Sequence, residues 1–253
     1  MKLEQTAAIV TGGGSGLGRA TAQALAARGA RVAVLDLNAD AAREVASAIG
    51  GIAAPCDVAD PASADAALAV AAAAHGPARI LVNCAGIGSA KRVVGKDGPQ
   101  PLADFEKVVR VNLLGTFNML RLAAAAMARL DPLEDGERGV VVSTASVAAF
   151  EGQVGQAAYA ASKAGIVGMT LPIARELAAF GIRVNVIAPG LFATPLLKTL
   201  PEEVQRALGA SIPFPSRLGE ASEFAALAVH MLENTFLNGE TVRLDGALRL
   251  PAR

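Results

Sequence analysis

The feature that most constrains the fold is an alternation along the chain between short β-rich apolar runs and longer alanine-rich runs. The short runs are nearly continuous Val, Ile and Ala, a pattern typical of parallel strands that are buried on both faces. Alternating strands and helices form right-handed βαβ units, and such units place helices on both faces of a mainly parallel sheet. The sequence contains no linker and no internal repeat, so we expect one α/β domain over residues 1–253.

Turn residues and capping signals set the limits of the individual elements. The predicted strands cover residues 6–11, 31–35, 52–56, 79–83, 139–144, 182–187 and 240–244. The predicted helices cover residues 16–28, 40–49, 61–75, 102–110, 112–130, 157–180, 193–211 and 220–233, and residues 91–101 form a polar surface loop. This order predicts a Rossmann-type, doubly wound sheet of about seven parallel strands with helices on both faces.

Composition argues against several classes of function. Lys and Arg together number 23, as do Asp and Glu, and no basic block occurs, so we expect no nucleic-acid partner. The mean hydropathy is +0.42, but the longest uncharged stretches, 5–18 and 184–197, are shorter than the roughly 20 apolar residues that span a membrane. The two cysteines and two histidines form neither a disulfide framework nor a metal-ligand pattern, and no leader is evident. We therefore expect a cytoplasmic protein without a metal or a membrane partner.

A glycine-rich loop, Thr11-Gly-Gly-Gly-Ser-Gly-Leu-Gly18, joins the first predicted strand to the first predicted helix. Glycines in such a loop let the backbone approach a pyrophosphate, whose charge the helix N-terminus stabilises. The spacing of Gly12, Gly16 and Gly18 is G-x-x-x-G-x-G rather than G-x-G-x-x-G, and a plain tight turn is the alternative. The strand before the loop and the helix after it favour a dinucleotide site.

Asp36 ends the second predicted strand, 18 residues after Gly18, which is close to the roughly 20-residue spacing of a ribose-binding acid. A carboxylate there accepts hydrogen bonds from the adenosine ribose and repels a 2′-phosphate. Ser15 adds no basic group to the loop, so both residues favour NAD over NADP as the cofactor. The alternative is that Asp36 only caps the next helix.

Tyr159, the only tyrosine, lies four residues before Lys163 in a predicted helix, so the two side chains share one helix face. Ser146 lies 13 residues before Tyr159, just past the carboxyl end of a predicted core strand, where ligands of open α/β sheets bind. The ammonium of Lys163 is expected to favour the phenolate and lower the pKa of Tyr159. Tyr159 could then accept the proton of a substrate alcohol while hydride leaves for a nicotinamide, and Ser146 would hold the alcohol oxygen.

Each of these residues also has an ordinary structural interpretation. Tyr159 could be a half-buried tyrosine with a routine hydrogen bond, and Lys163 could be a surface lysine. Ser146 could cap a turn, and Ser143 or Thr144 could take its role instead. Their combined occurrence downstream of a dinucleotide loop favours the catalytic interpretation.

These motifs together resemble the short-chain dehydrogenase/reductase family over almost the whole chain. The shared motifs, in the order of the family, are Thr-Gly-x-x-x-Gly-x-Gly at 11–18, Asn-Cys-Ala-Gly at 83–86, Asn112, Ser146, Tyr-x-x-x-Lys at 159–163 and Pro-Gly at 189–190. The resemblance implies an NAD-dependent oxidoreductase in which Asn112 helps to align Lys163 in a proton relay. It also implies cofactor contacts from Gly12, Ser15, Gly16, Leu17, Asp36, Asp57, Val58, Cys84, Gly86, Tyr159, Lys163, Phe192 and Thr194.

A narrower resemblance, to the 3-hydroxyacyl-CoA and 17β-hydroxysteroid dehydrogenases of that family, is carried by residues 143–159, 165–175, 187–197, 213–219 and 237–246. It implies a homotetramer in fatty acid metabolism that oxidises a short-chain (S)-3-hydroxyacyl-CoA to the 3-oxoacyl-CoA. The substrate contacts expected from it are Ser146, Gln153, Gln156 and Tyr159, with Phe150 and residues 195–215 lining the pocket.

Three other functions are open at this point. They are a hydroxysteroid or small-alcohol dehydrogenase, a reductase of 3-oxoacyl thioesters that prefers NADPH, and a mainly scaffolding subunit. The polar loop diverges from the subgroup. Its basic residues Lys91, Arg92 and Lys96 are either a solvated surface or a landing site for the phosphates of coenzyme A.

Overall fold

In a computed structural model, the chain forms a seven-stranded parallel sheet flanked by helices, which confirms the predicted fold class. The structure describes residues 1–88, 90–96, 98–194, 197 and 201–252. The strands are β1 Ala7–Thr11, β2 Arg31–Asp36, β3 Ile52–Pro55, β4 Ile80–Asn83, β5 Val94–Gly95, β6 Gly98–Pro99, β7 Gly139–Thr144, β8 Ile182–Pro189 and β9 Thr241–Leu244. The main helices are α1 Gly16–Ala27, α2 Ala39–Ile49, α3 Pro61–His75, α4 Leu102–Val109, α5 Gly115–Met127, α6 Ala157–Leu177, α7 Glu202–Ala210 and α8 Ala221–Glu233.

The strand order of the large sheet is β3-β2-β1-β4-β7-β8-β9, and its neighbouring strands pair in parallel. The chain winds outward from β1 in one direction and then from β4 in the other, so the order reverses between these two strands. In open α/β sheets, ligands bind in the crevice beyond the carboxyl ends of the strands at such a reversal. The register aligns Thr11 with Asn83 and Asn83 with Ser143, so β1, β4 and β7 end level with one another.

The core lies in two layers, one on each face of the sheet. One layer packs Leu25 of α1 and Phe224 of α8 against strand residues such as Val34. The other packs Met119 of α5 and the alanines of α3 against strand residues such as Leu81. Burial on both faces explains why the strand sequences are almost uninterrupted aliphatic runs.

The predicted break between the helices 102–110 and 112–130 was wrong. The backbone stays helical from α4 into α5, and a π-helical turn at Arg110–Leu114 joins the two. A π turn adds a residue without ending the helix, so it shifts the phase of the apolar pattern. In the sequence, that shift looks the same as the end of one helix and the start of another. The buried Asn112 lies inside the π turn.

Two other expectations need correction. The loop 91–101 contains a short antiparallel ribbon, because Val94–Gly95 pairs with Gly98–Pro99. The helix expected over 193–211 is not helical at residues 193 and 194, whereas Leu197 is helical. The helix α7 begins after Pro201, which is its N-cap residue. Residues 195, 196 and 198–200 of that expected helix lie outside the described residues.

None of the helices within the described ranges has the length and apolar character needed to cross a bilayer.

A buried arginine on β8, Arg183, ties this strand to the segment before β7 and to the end of α8. The guanidinium Nε of Arg183 donates to a carboxylate oxygen of Glu137 at 2.8 Å, and the two side chains are only 8% and 7% exposed. The other guanidinium nitrogens of Arg183 donate to the main-chain carbonyls of Met231, Leu232 and Leu237. Replacing such an arginine strongly lowers the free energy of unfolding, because its buried hydrogen-bond acceptors lose their donor.

We expect Arg183→Met to lower the free energy of unfolding by about 3 kcal/mol, because buried main-chain carbonyls lose their donor and the Glu137 carboxylate is left with the N-terminal ammonium of Met1, at 3.2 Å. Urea denaturation at fixed protein concentration measures the loss. The matched control is Arg28→Met, whose ion pair with Glu233 is 56% and 41% exposed, and it should cost no more than about 1 kcal/mol. Equal losses for the two variants would contradict the argument.

Candidate active site

The glycine-rich loop lies at the reversal point and is packed too closely for side chains. A Cβ on Gly12 would lie 2.7 Å from the amide nitrogen of Ala85, and one on Gly18 would lie 2.2 Å from the carbonyl oxygen of Gly12. Ser15 caps α1 without a side-chain hydrogen bond to the helix. The first-turn amides of a helix have no partner within the helix, so this end of α1 suits an anion. The loop therefore fits the pyrophosphate of a dinucleotide.

Asp36 holds the glycine loop rather than the following helix. One carboxylate oxygen accepts a hydrogen bond from the amide of Gly14 at 2.9 Å, and the other accepts from the amide of Asn38 at 2.9 Å. Asn38 is the residue that caps α2, through the amides of Asp40 and Ala41. The interpretation of Asp36 as a helix cap was therefore wrong. Its carboxylate lies beside the loop, as a ribose-binding acid requires.

The residues after β3 lie at the same edge of the sheet. The amide of Asp57 is a donor to the Ser63 hydroxyl, and its carboxylate accepts from the amide of Ala59. The carbonyl of Val58 accepts from the side-chain amide of Asn118 at 2.9 Å. These contacts give Asp57 and Val58 fixed positions at the edge where an adenine ring is expected.

Asn112 connects three segments around the centre of the site. Its Oδ1 accepts from the amide of Ile87 at 2.8 Å, and its Nδ2 donates to the carbonyl of Ile87 at 3.0 Å and to the Ser162 hydroxyl at 3.1 Å. The Ser162 hydroxyl in turn donates to the carbonyl of Tyr159 at 2.7 Å. The Cα of Gly86 faces both Asn112 and Lys163. Ile87 and Ser162 were not predicted, because their only signal in the sequence is their position next to a motif residue.

Lys163 is buried, so its interpretation as a surface lysine was wrong. Its side chain is 5% exposed, and its Nζ donates to the carbonyl of Thr144 at 2.7 Å. Desolvation lowers the pKa of Lys163 to about 8. The Nζ lies 5.8 Å from the centre of the Tyr159 ring, on the side of the shared helix face.

The pKa of Tyr159 is raised, and not lowered as the sequence suggested. Desolvation by burial raises it, and a hydrogen bond with Ser146 offsets part of that effect. The ammonium of Lys163 is directed at the carbonyl of Thr144, which weakens its effect on the phenol. Lys163 and Ser146 nevertheless both lie close to Tyr159.

Ser146 caps a short turn, and its hydroxyl also faces Tyr159. That hydroxyl accepts from the amide of Ala148 at 3.1 Å. The competing hydroxyls point elsewhere: Ser143 accepts from Asn83 on β4, and Thr144 donates to the sulfur of Cys84.

Cys84 is placed as a structural thiol. Burial raises its pKa to about 11, so the thiol stays neutral and unreactive near neutral pH. The side chain of Phe192 is also part of the core, since it packs edge-on against Phe224 with ring centres 6.5 Å apart. Phe192 and Thr194 follow β8. Since Phe192 is only 5% exposed, any contact that it makes with a cofactor comes from its main chain.

Gln153 and Gln156 lie on the loop between Ser146 and Tyr159 and bind each other. The amide of Gln153 donates to the side-chain oxygen of Gln156 at 3.1 Å.

In the polar loop, Lys91 pairs with Asp104, so its charge is engaged within the chain, whereas Arg92 and Lys96 are exposed. Among the described residues, no group of His, Cys, Asp and Glu is arranged as a metal site.

A family model described as short chain dehydrogenase matches residues 6–205 of the chain. The chain belongs to this family. It is therefore an oxidoreductase enzyme that acts on a small-molecule substrate.

The 3-hydroxyacyl-CoA dehydrogenase type-2 of Homo sapiens is 53% identical to the chain over 247 residues, which cover 96% of the chain and 95% of the human protein. The protein of the same name from Drosophila melanogaster is 51% identical over 98% of the chain and 99% of its own length. A crystal structure of 3-hydroxyacyl-CoA dehydrogenase type-2 from Mycobacterium avium is 44% identical and superposes with a TM-score of 0.94 over 98% of each chain.

The lowered pKa of Lys163 predicts a pH-dependent stability. In the unfolded chain a lysine keeps its proton up to a pKa of about 10.4, whereas folded Lys163 releases it near pH 8, so the stability conferred by this group rises with pH between the two values. From pH 7 to pH 9, without cofactor, wild type should gain about 1 kcal/mol relative to Lys163→Met. Urea denaturation at both pH values measures the difference. A constant difference between the two proteins would rule out the buried, titrating lysine.

Proposed function

We propose that the protein is an NAD-dependent dehydrogenase of secondary alcohols, and that its substrate is a short-chain (S)-3-hydroxyacyl-CoA, which it oxidises to the 3-oxoacyl-CoA. The observation that carries the chemistry is the grouping of the partly buried Tyr159 with the buried Ser146 and Lys163 at the carboxyl edge of the sheet, near the glycine loop. The relatives at 53% and 51% identity are both named 3-hydroxyacyl-CoA dehydrogenase type-2, which supports the acyl-CoA substrate.

The residues that would hold NAD follow the edge of the sheet. The amides at the start of α1 would bind the pyrophosphate, and the carboxylate of Asp36 would bind the adenosine ribose. Asp57 and Val58 would border the adenine, and Cys84, Gly86, Phe192 and Thr194 would border the nicotinamide half. When it is bound, NAD supplies the hydride acceptor.

The proton chemistry belongs to the side chains of the chain itself. The Ser146 hydroxyl would hold the oxygen of the substrate alcohol, and Tyr159 would accept its proton as general base. A phenol with a raised pKa is a poor base at neutral pH, so the nearby Lys163 ammonium must stabilise the phenolate. With a pKa of about 8, Lys163 is still mostly charged at pH 7. Asn112 would fix the geometry, because it links the β4 loop to the helix of Tyr159.

Several finer expectations remain predictions at this point. They are the homotetramer, the cytoplasmic location and the role in fatty acid metabolism. The scaffolding alternative loses support, because the full set of catalytic side chains is brought together at one site.

The main test is NADH formation with a panel of substrates. Wild type should oxidise (S)-3-hydroxybutyryl-CoA far better than its (R) enantiomer, a hydroxysteroid or a simple secondary alcohol. Tyr159→Phe should lose turnover by roughly 10²–10⁴-fold, because it removes the general base, while NAD binding measured by calorimetry stays largely unchanged. Phe236→Leu is the control, since Phe236 is an aromatic residue that is 99% exposed between α8 and β9, outside the proposed site. Near wild-type turnover in Tyr159→Phe would overturn the mechanism.

The cofactor choice has a separate test. Asp36→Ala should shift the ratio of kcat/KM for NAD over NADP towards NADP by roughly 10–100-fold, because a charged hydrogen-bond acceptor for the ribose is lost. Asp40→Ala, on the exposed first turn of α2, should leave the ratio unchanged. Steady-state kinetics with both cofactors measure the shift. A wild type that already prefers NADPH would support a reductase of 3-oxoacyl thioesters instead.

A further inference from the structure

A cavity of about 490 Å³ lies beyond the loop that joins Ser146 to Tyr159. It is formed by this loop, the residue after β8, one side of α7 and the C-terminal segment. The lining residues that matter here are Gln153, Leu191, Val204, Leu208, Leu250 and Pro251. Five of these six side chains are apolar, and the only charged lining residue among those described is the acidic Glu203. A cavity with this lining suits an uncharged hydrocarbon better than the phosphates of coenzyme A.

The cavity borders the loop that leads from Ser146 to Tyr159, because Gln153 of that loop lines it. Gln153 exchanges hydrogen bonds with Gln156, which directly precedes α6. Tyr159 lies in the first turn of that helix. Leu191 follows the carboxyl end of β8, which is the edge of the sheet that carries the site.

The far wall of the cavity is the C-terminal segment, residues 247–252, and it is hydrogen-bonded to the loop. The side chain of Gln153 donates to the carbonyl of Pro251 at 3.2 Å, and the amide of Val154 donates to the carbonyl of Ala252 at 3.0 Å. The C-terminal segment therefore lies alongside the loop, and the side chain of Leu250 lines the cavity.

Arg243 on β9 holds the loop and the C-terminal segment together. Two of its nitrogens bind both carboxylate oxygens of Glu151, at 2.7 and 2.9 Å. Its Nε binds Asp245 at 2.7 Å, and one terminal nitrogen also donates to the carbonyl of Leu248 at 3.0 Å. Its guanidinium lies 5.1 Å from the centre of the Phe150 ring. A planar, bidentate arginine fixes direction as well as distance, so loop and segment keep one relative position.

We propose that the C-terminal segment is the wall that limits the length of the acyl group, with Leu250 as the specificity-determining residue and Arg243 as the positioning residue. This inference rests on the proposed function, because the acyl group is that of the 3-hydroxyacyl-CoA. The acyl chain extends from the reacting carbon past Gln153 and ends against Leu250 and Pro251, while the coenzyme A lies on the other side of the thioester.

The test is a chain-length series of (S)-3-hydroxyacyl-CoA substrates with four, six, eight and ten acyl carbons. Leu250→Ala should raise the ratio of kcat/KM for longer over four-carbon substrates by roughly 10-fold, and Leu250→Phe should lower it by a similar factor, because one or two methylenes change this fit. Leu133→Ala is the control, since Leu133 is an exposed leucine at a distant turn that does not line the cavity. The KM for NAD should stay unchanged in all three variants.

Arg243→Lys tests the positioning role, because a lysine cannot bind Glu151 and Leu248 in the same geometry. The KM for the acyl-CoA should rise by roughly 10-fold and the chain-length preference should broaden, with the KM for NAD unchanged. Arg28→Lys, at a surface ion pair, is the matched control. A purely structural role would instead lower the melting temperature and leave both KM values and the preference as they are.

The outcomes separate the two proposals. A wild type that oxidises none of the acyl-CoA substrates overturns the proposed function, and this inference with it. A wild type that oxidises them, together with Leu250 variants of unchanged chain-length preference, overturns only the assignment of the C-terminal segment. Opposite shifts for Leu250→Ala and Leu250→Phe support it.

Discussion

One side-chain amide, that of Asn112, joins the three segments from which the active site is built. It binds both main-chain groups of Ile87 after β4 and the hydroxyl of Ser162 on α6, and it stands in the π turn between α4 and α5. A main-chain N–H and C=O that leave a sheet need partners, and this amide supplies both. The loop after β4 and the helix of Tyr159 can therefore approach each other without unpaired polar groups. The rest of the site depends on this contact.

The elements that were predicted well are those with a local signal. The glycine-rich loop 11–18 is defined by its own sequence, since the close packing around Gly12 and Gly18 leaves no room for a Cβ. The aliphatic strands and the spacing of Tyr159 and Lys163 are also local patterns. The fold class could therefore be predicted from the sequence, and the side chains of the proposed site could be placed near one another.

The features that were missed depend on contacts between distant segments or on a change of helix type. The π turn at Arg110–Leu114 resembles a helix boundary, because only its apolar phase differs from that of a continuous helix. The carbonyl of Thr144 as partner of Lys163 has no sequence signal, since every residue has a carbonyl. The contact between Glu151 and Arg243 joins residues 92 positions apart, and one sequence alone does not reveal such a pair.

The electrostatics of the site show why its parts need one another. Burial disfavours the charged forms of both Tyr159 and Lys163, which is why the pKa of the phenol rises and that of the amine falls. These shifts are opposite to what a fast base at neutral pH requires. Opposite charges attract each other strongly where water is excluded. The phenolate and the ammonium therefore stabilise each other, and each charged form is favourable only in the presence of the other.

Because the chain has so few aromatic residues, its near-ultraviolet signal reports on Tyr159. The chain has no tryptophan and one tyrosine, so its phenol absorption and emission arise at one place, within reach of Ser146 and Lys163. The protein thus carries an intrinsic optical probe at its proposed reaction centre, without another tyrosine or a tryptophan that would contribute to the signal. Ionisation of that phenol, or a change in its hydrogen bonding, changes an ultraviolet signal that can be followed without a label.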